Sequence, residues 1–149
     1  MAPTAPTAPA APAAPTAPVG RLRNVVLDCL DPYQLAHFYQ QLIGGEIEAD
    51  AEGGDDWVTL QAPGGLRLCF QEAPGHRPPD WPHAETGSQQ IHLDIDVGPS
   101  VEDVERAQER VLALGAKPLD VDDDNGERDF RVYADPAGHP FCLCWIAAD

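Results

Sequence analysis

Along most of this chain apolar and polar positions alternate in short runs, and twice a helical spacing interrupts them. Val25, Leu27 and Cys29 alternate within 24–29, which predicts a strand. Asp31 then offers a helix cap, Pro32 suits the first helical position, and Gln34 can complete a capping box. Leu35, Phe38, Tyr39 and Leu42 share one helical face, and Gly44-Gly45 ends the run. Strands are predicted at 46–50, 56–61 and 66–71, the last two separated by the turn Pro63-Gly64-Gly65. A proline-rich connection over 74–83 follows, and then the order returns. Residues 90–97 read as a strand, and Ser100 caps a helix with Glu102 and Asp103 in its first turn. Val104, Ala107, Val111 and Leu114 form its apolar face, Gly115 terminates it, and strands are predicted at 117–121, 129–133 and 140–146.

The order β-α-β-β-β thus occurs twice, although residue identities hardly repeat, and we read it as an internal duplication. The predicted class is α+β. Two βαβββ modules, about 22–73 and 89–146, form a curled mixed sheet around a cleft, with the helices on the outer face.

Alternation also sorts the two faces of each strand. Val25, Leu27 and Cys29 are expected on the first helix, with Asn24, Val26 and Asp28 turned away. Ile91, Leu93, Ile95 and Val97 are expected on the second helix, which turns His92, Asp94 and Asp96 away. Val58, Leu60, Leu66, Leu68, Phe70, Phe141, Leu143 and Trp145 likewise take the helix side. Trp57, Thr59, Arg67, Cys69, Gln71, Cys142 and Cys144 take the other. In 129–133 the same rule sends Phe130 and Val132 to the helix and Arg131 and Tyr133 away. A flat sheet would leave this polar and aromatic face to water, whereas a curled one makes it the wall of a small-molecule cleft. Asp28, Trp57, Arg67, Gln71, His92, Asp94 and Arg131 are the candidate ligand-binding residues.

Residues 1–20 change the domain picture. They carry no charge, and proline recurs every third position from Pro3 to Pro18, the period of polyproline II. This segment is expected to be a disordered Ala/Pro-rich tail, leaving 21–149 as the folded domain. It lacks the basic and apolar regions of a secretion signal, and its prolines forbid a spanning helix. The 9 basic and 25 acidic residues give a net charge of −16, which disfavours nucleic acid and anionic membrane surfaces as partners. Cys29, Cys69, Cys142 and Cys144 form no CxxC pair, so free thiols in a reducing cytoplasm are expected. No base adjoins any of them, and nucleophilic roles are not expected. The acidic run from Asp120 to Gly126 lacks the glycine and the acid that a calcium loop needs at its sixth and twelfth places, and it reads as a solvated turn.

Three segments carry a resemblance. They are Val25-Val26-Leu27-Asp28-Cys29 with Asp31-Pro32 and Phe38-Tyr39; Ile91-His92-Leu93-Asp94; and Asp135-Pro136-Ala137-Gly138-His139-Pro140-Phe141-Cys142. With the doubled element order they resemble the vicinal-oxygen-chelate superfamily of glyoxalases, bleomycin-resistance proteins and extradiol dioxygenases, and most closely its glyoxalase-like domain branch. The resemblance covers about 22–146. It implies two metal-ligand positions per module, which fall on Asn24 and on or beside Cys69 in the first and on His92 and Cys142 in the second. Metal-using relatives place His, Gln or a carboxylate at all four, and only His92 conforms. A homodimer is implied on the same ground.

No metal or other cofactor is therefore expected. Two alternatives stay open: a zinc site of His92 with two cysteines, and a displaced site on Asp28, His92 and Asp94. The leading expectation is a metal-independent, cytoplasmic small-molecule-binding protein, similar to bleomycin-resistance proteins. Its partner would be a small organic molecule. The alternatives are a metal-dependent lyase, isomerase or dioxygenase, and a pocketless interaction module whose polar sheet face meets a partner protein, so whether the chain is an enzyme is left open. Trp81 is expected either to lid the cleft or to cover a sheet edge, and His139 to hold the turn before the last strand.

Overall fold

The computed structural model describes residues 2–9, 17–48, 56–83, 85 and 87–146. The predicted element order is present twice. Module one runs β1 (Val25–Cys29), α1 (Pro32–Ile43), β2 (Glu46–Ile47), β3 (Trp57–Gln61) and β4 (Arg67–Glu72). Module two runs β5 (Leu93–Gly98), α2 (Val101–Ala113), β6 (Lys117–Asp120), β7 (Phe130–Ala134) and β8 (Pro140–Trp145). The end of the strand expected over 46–50 lies outside the described residues. So do residues 1 and 10–16 of the tail, whose described parts carry neither helix nor strand.

Each module is a four-stranded mixed sheet, ordered β1-β4-β3-β2 and β5-β8-β7-β6. In both, the first strand lies parallel to the last, and the helix makes the crossover between the first strand and the rest. Both helices are capped at the expected residue. Asp31 Oδ1 accepts from the Gln34 amide at 3.1 Å, without the return bond expected of the Gln34 side chain, and Ser100 with Asp103 makes a complete capping box.

The helix-side residues of both sheets merge into one apolar core containing Leu27, Leu60, Leu68 and Phe70 of module one and Phe141, Leu143 and Trp145 of module two. Helix α1 joins them. Its Phe38 ring stands edge-on to Phe141 at 5.7 Å, and its Tyr39 stacks on Phe70. The Tyr39 hydroxyl donates to Asp135 Oδ2 at 2.6 Å, a buried bond from module one to module two.

Two expectations are corrected. Strand β5 begins at Leu93, because Gln90 takes a left-handed φ of 67° and Ile91 is left exposed. Strand β7 presents the opposite faces to those expected. Tyr133 stacks on Phe141 and donates to Gln108 on α2, so Tyr133 and Arg131 point at the helix, and Phe130 lies on the other face. Arg131 is held there by Glu105 at 2.8 Å, Asp123 at 2.6 Å and Gln108 at 3.2 Å. Polar partners on α2 make the buried position tolerable for a guanidinium.

The acidic run after β6 has a related purpose. Asp123 takes Arg131, and Asp120 takes Arg128, whose guanidinium also lies 4.1 Å over the Phe130 ring. Arg131 holds the Asp123 carboxyl below the usual carboxylate range. A carboxyl whose pKa is lower folded than unfolded contributes stability above about pH 4 and loses it as pH falls through the lowered value. Arg131→Met is expected to flatten this acid limb, as read from urea midpoints between about pH 3 and 7. An acid limb identical to that of the parent protein would refute the assignment.

Candidate functional site

The site is built on the sheet faces turned away from the helices. Strand register sets the rows, because paired residues point the same way. In module one Asp28, Gln71 and Trp57 form one row, and Val26, Cys69 and Thr59 the next. The Trp57 indole donates to Thr59 Oγ1 at 3.2 Å, and that hydroxyl lies 3.4 Å from the buried Cys69 thiol. Arg67 is already engaged: its Nε donates to Asn24 Oδ1 at 3.0 Å and it pairs with Glu48 at 3.2 Å. Gln61 bonds to the same Glu48 carboxylate.

A cavity of about 580 Å³ opens on this face. Val26, Asp28 and Gln71 form its floor, and the connection between the modules forms its wall through His76, Arg77 and Gln89. Gln89 Oε1 is buried with no hydrogen-bond partner. Two imidazoles fix the corner of the cavity. His139 Nε2 donates to the Asp28 carbonyl at 2.6 Å, His76 Nε2 donates to the Ala137 carbonyl at 2.8 Å, and the rings lie 4.8 Å apart. His139 thus has the structural part expected of it. Trp81 instead lines a second cavity, of about 470 Å³, beside the first turn of α1.

In module two, Asp94 pairs in register with Cys142, and His92 Nε2 lies 3.4 Å from Asp94 Oδ1. One ligand atom from each of His92, Asp94 and Cys142 falls within 4.8 Å of the others. Burial, with Asp94 next in importance, pushes the Cys142 thiol up to about 12, and burial raises Cys29 and Cys144 to about 11. Shifts in this direction favour the protonated thiol.

The seven candidates therefore separate. Asp28 and Gln71 floor the cavity with Trp57 in their row, His92 and Asp94 belong to the module-two cluster, Arg67 is bound to Asn24 and Glu48, and Arg131 faces the opposite side. Sequence reasoning missed His76, Arg77 and Gln89. The one available signal was the placement of His76 and Arg77 inside the proline-rich connection.

The sequence profile of the glyoxalase-like domain family matches residues 24–144, which takes in both modules. The chain belongs to this family. A comparison with curated proteins gave no match. Among solved structures, this glyoxalase-like chain is similar to a possible glyoxalase from Bacillus cereus, with 13% identity over 85% of this chain and 99% of that one, at a TM-score of 0.61. It is similar to the fosfomycin resistance protein FosX of Listeria monocytogenes, solved as a mutant complexed with Mn(II) and 1S,2S-dihydroxypropylphosphonic acid. That likeness is 18% identity over 87% and 94% of the two chains, at a TM-score of 0.61. A hypothetical protein of S. aureus gives 17% identity, 86% and 99% coverage and a TM-score of 0.56. At these identities the likeness is one of fold; with the family match it is consistent with the vicinal-oxygen-chelate superfamily.

A metal bridging the two modules does not suit the residues of this glyoxalase-like domain. Asn24 offers one neutral oxygen, and Arg67 holds it with a guanidinium that would repel a cation. Cys69 is buried beside Thr59. At these positions module one thus offers only a neutral oxygen held by Arg67 and a buried thiol.

Proposed function

We propose that this glyoxalase-like protein binds a small organic molecule on the non-helix face of module one without a metal bridging the modules. The observation that carries the reading is the cavity of about 580 Å³ between the Asp28–Gln71 floor and the connecting residues His76, Arg77, Pro79 and 87–91. Its volume is in the range of small-molecule sites, roughly 300–1,000 Å³. Asp28 and Gln71, which line the cavity side by side, supply the orienting hydrogen bonds.

The bound phosphonate of the Listeria protein supports small polar organic molecules as the ligand class. A reducing, cytoplasmic setting is supported by four free cysteines, three of them buried. No helix among the described residues is long and apolar enough to cross a membrane. A homodimer remains part of the proposal on the family likeness.

A thermal-shift screen followed by calorimetry tests the reading. A hit is expected to keep its Kd after exhaustive chelation, and to lose about tenfold in affinity in Asp28→Asn and in Gln71→Ala, equivalent to about 1.4 kcal/mol. Loss of binding on chelation would favour the metal-dependent lyase, isomerase or dioxygenase instead. Affinity untouched by both substitutions would move the ligand out of this cavity.

A further inference from the structure

The mismatch at the implied bridging position has a counterpart in module two. The donors missing from module one are matched by an extra donor, Asp94, beside His92 and Cys142. We propose that module two by itself holds one zinc-class ion on a His92 nitrogen, an Asp94 carboxylate oxygen and the Cys142 sulfur. The inference is independent of the ligand cavity, which none of these three residues lines.

The geometry comes from the strands. Asp94 and Cys142 are register partners on the parallel β5–β8 pair, and His92, just before β5, brings a ring nitrogen within 4.8 Å of both ligand atoms. Zinc bonds of about 2.0–2.3 Å at tetrahedral angles put donor atoms roughly 3.3–3.8 Å apart. The His92–Asp94 pair already stands at 3.4 Å, and all three atoms lie within 4.8 Å, so side-chain rotation of about 1 Å closes the set. The backbone stays where the sheet puts it.

Donor chemistry selects the ion. Imidazole nitrogen and thiolate sulfur favour zinc and its softer neighbours, whereas calcium, magnesium and manganese prefer oxygen. The side chains of His92 and Asp94 are 40% and 62% exposed, so one side of the cluster is open to solvent and a fourth ligand can come from water. Arg128, a cation that acts on Cys142, is tied to Asp120 and stacked over Phe130.

The untagged full chain, stripped of metal and kept reduced, is titrated with Zn(II) by calorimetry and with Co(II) by absorption spectroscopy. One equivalent of each is expected, and Co(II) is expected to give a near-ultraviolet thiolate-to-cobalt charge-transfer band. Cys142→Ser is expected to abolish that band, and Asp94→Asn to weaken Zn(II) binding at least tenfold. Asn24→Ala and Cys69→Ser are expected to change neither. Circular dichroism checks each variant's fold, and His92→Ala carries the test if Cys142→Ser does not fold. Absence of stoichiometric binding, or binding without the sulfur band, would overturn the proposal. So would a tenfold loss in Asn24→Ala or Cys69→Ser, because the ion would then bridge the modules. Chelation-resistant ligand binding reports on the cavity alone, so the two proposals fail separately.

Discussion

Phe141→Ala is expected to lower the free energy of unfolding by about 3–5 kcal/mol, a large part of the 5–15 kcal/mol typical of a domain. Phe141 is 0% exposed and lies on β8, between β5 and β7. Its ring meets Phe38 at 5.7 Å and Tyr133 at 5.8 Å, which puts one module-two side chain against α1 of module one. A neighbourhood fixed by two sheets and a helix cannot collapse far into the vacated volume, so the cavity cost adds to the lost transfer energy. Urea unfolding followed by far-ultraviolet circular dichroism reads the effect. A loss under about 1 kcal/mol would show that the two modules do not depend on a shared core.

Tyr39→Phe is expected to cost about 1.5–3 kcal/mol, the range for a hydrogen bond to a charged group. Tyr39 and Asp135 are 1% and 3% exposed, so water cannot replace the phenol. Asp135 Oδ1 keeps the Ala137 and His139 amides, which is why the variant should still fold. Burial pushes the Asp135 carboxyl above its usual range, against the opposing pull of Tyr39, His139 and those amides.

A carboxyl raised on folding contributes stability below its unfolded pKa and loses it as pH rises through the folded value. Losing the Tyr39 donor raises Asp135 further, because that bond favours the ionised form. The deficit of Tyr39→Phe should therefore be greater near pH 7 than near about pH 4. Equal deficits at both would mean that Asp135 holds its proton throughout.

The architecture was legible because the signals were local. Asp31 and Ser100 cap where capping chemistry needs them, and alternation put Leu27, Phe70, Phe141 and Leu143 on the helix side. Strand β7 was not legible, because both its faces are covered. Val132 is as buried on one side as Tyr133 is on the other, so hydrophobicity gives no direction. What orients the strand is Arg131, through Glu105 and Gln108 on a helix that lies 23 to 26 residues earlier. Such pairing is invisible to periodicity.

The candidate site followed the same division. Asp28 and Gln71 could be placed on one face from alternation. Their meeting in one row depends on the parallel β1–β4 register, and the cavity wall depends on a connection without periodic pattern. The His92–Asp94 proximity was within reach of a two-residue step. Cys142 joins them only through the β5–β8 pairing, which spans the whole of module two.

The bond from Tyr39 to Asp135 crosses 96 residues of chain. At translation rates of roughly 5–20 residues per second, Tyr39 is incorporated about 5–20 s before its acceptor is synthesised. During that interval the first half of the protein has a helix, a sheet and an aromatic face with nothing to close it. Folding is thus completed from the C-terminal side, and a nascent chain stalled before β7 would be a client for chaperones.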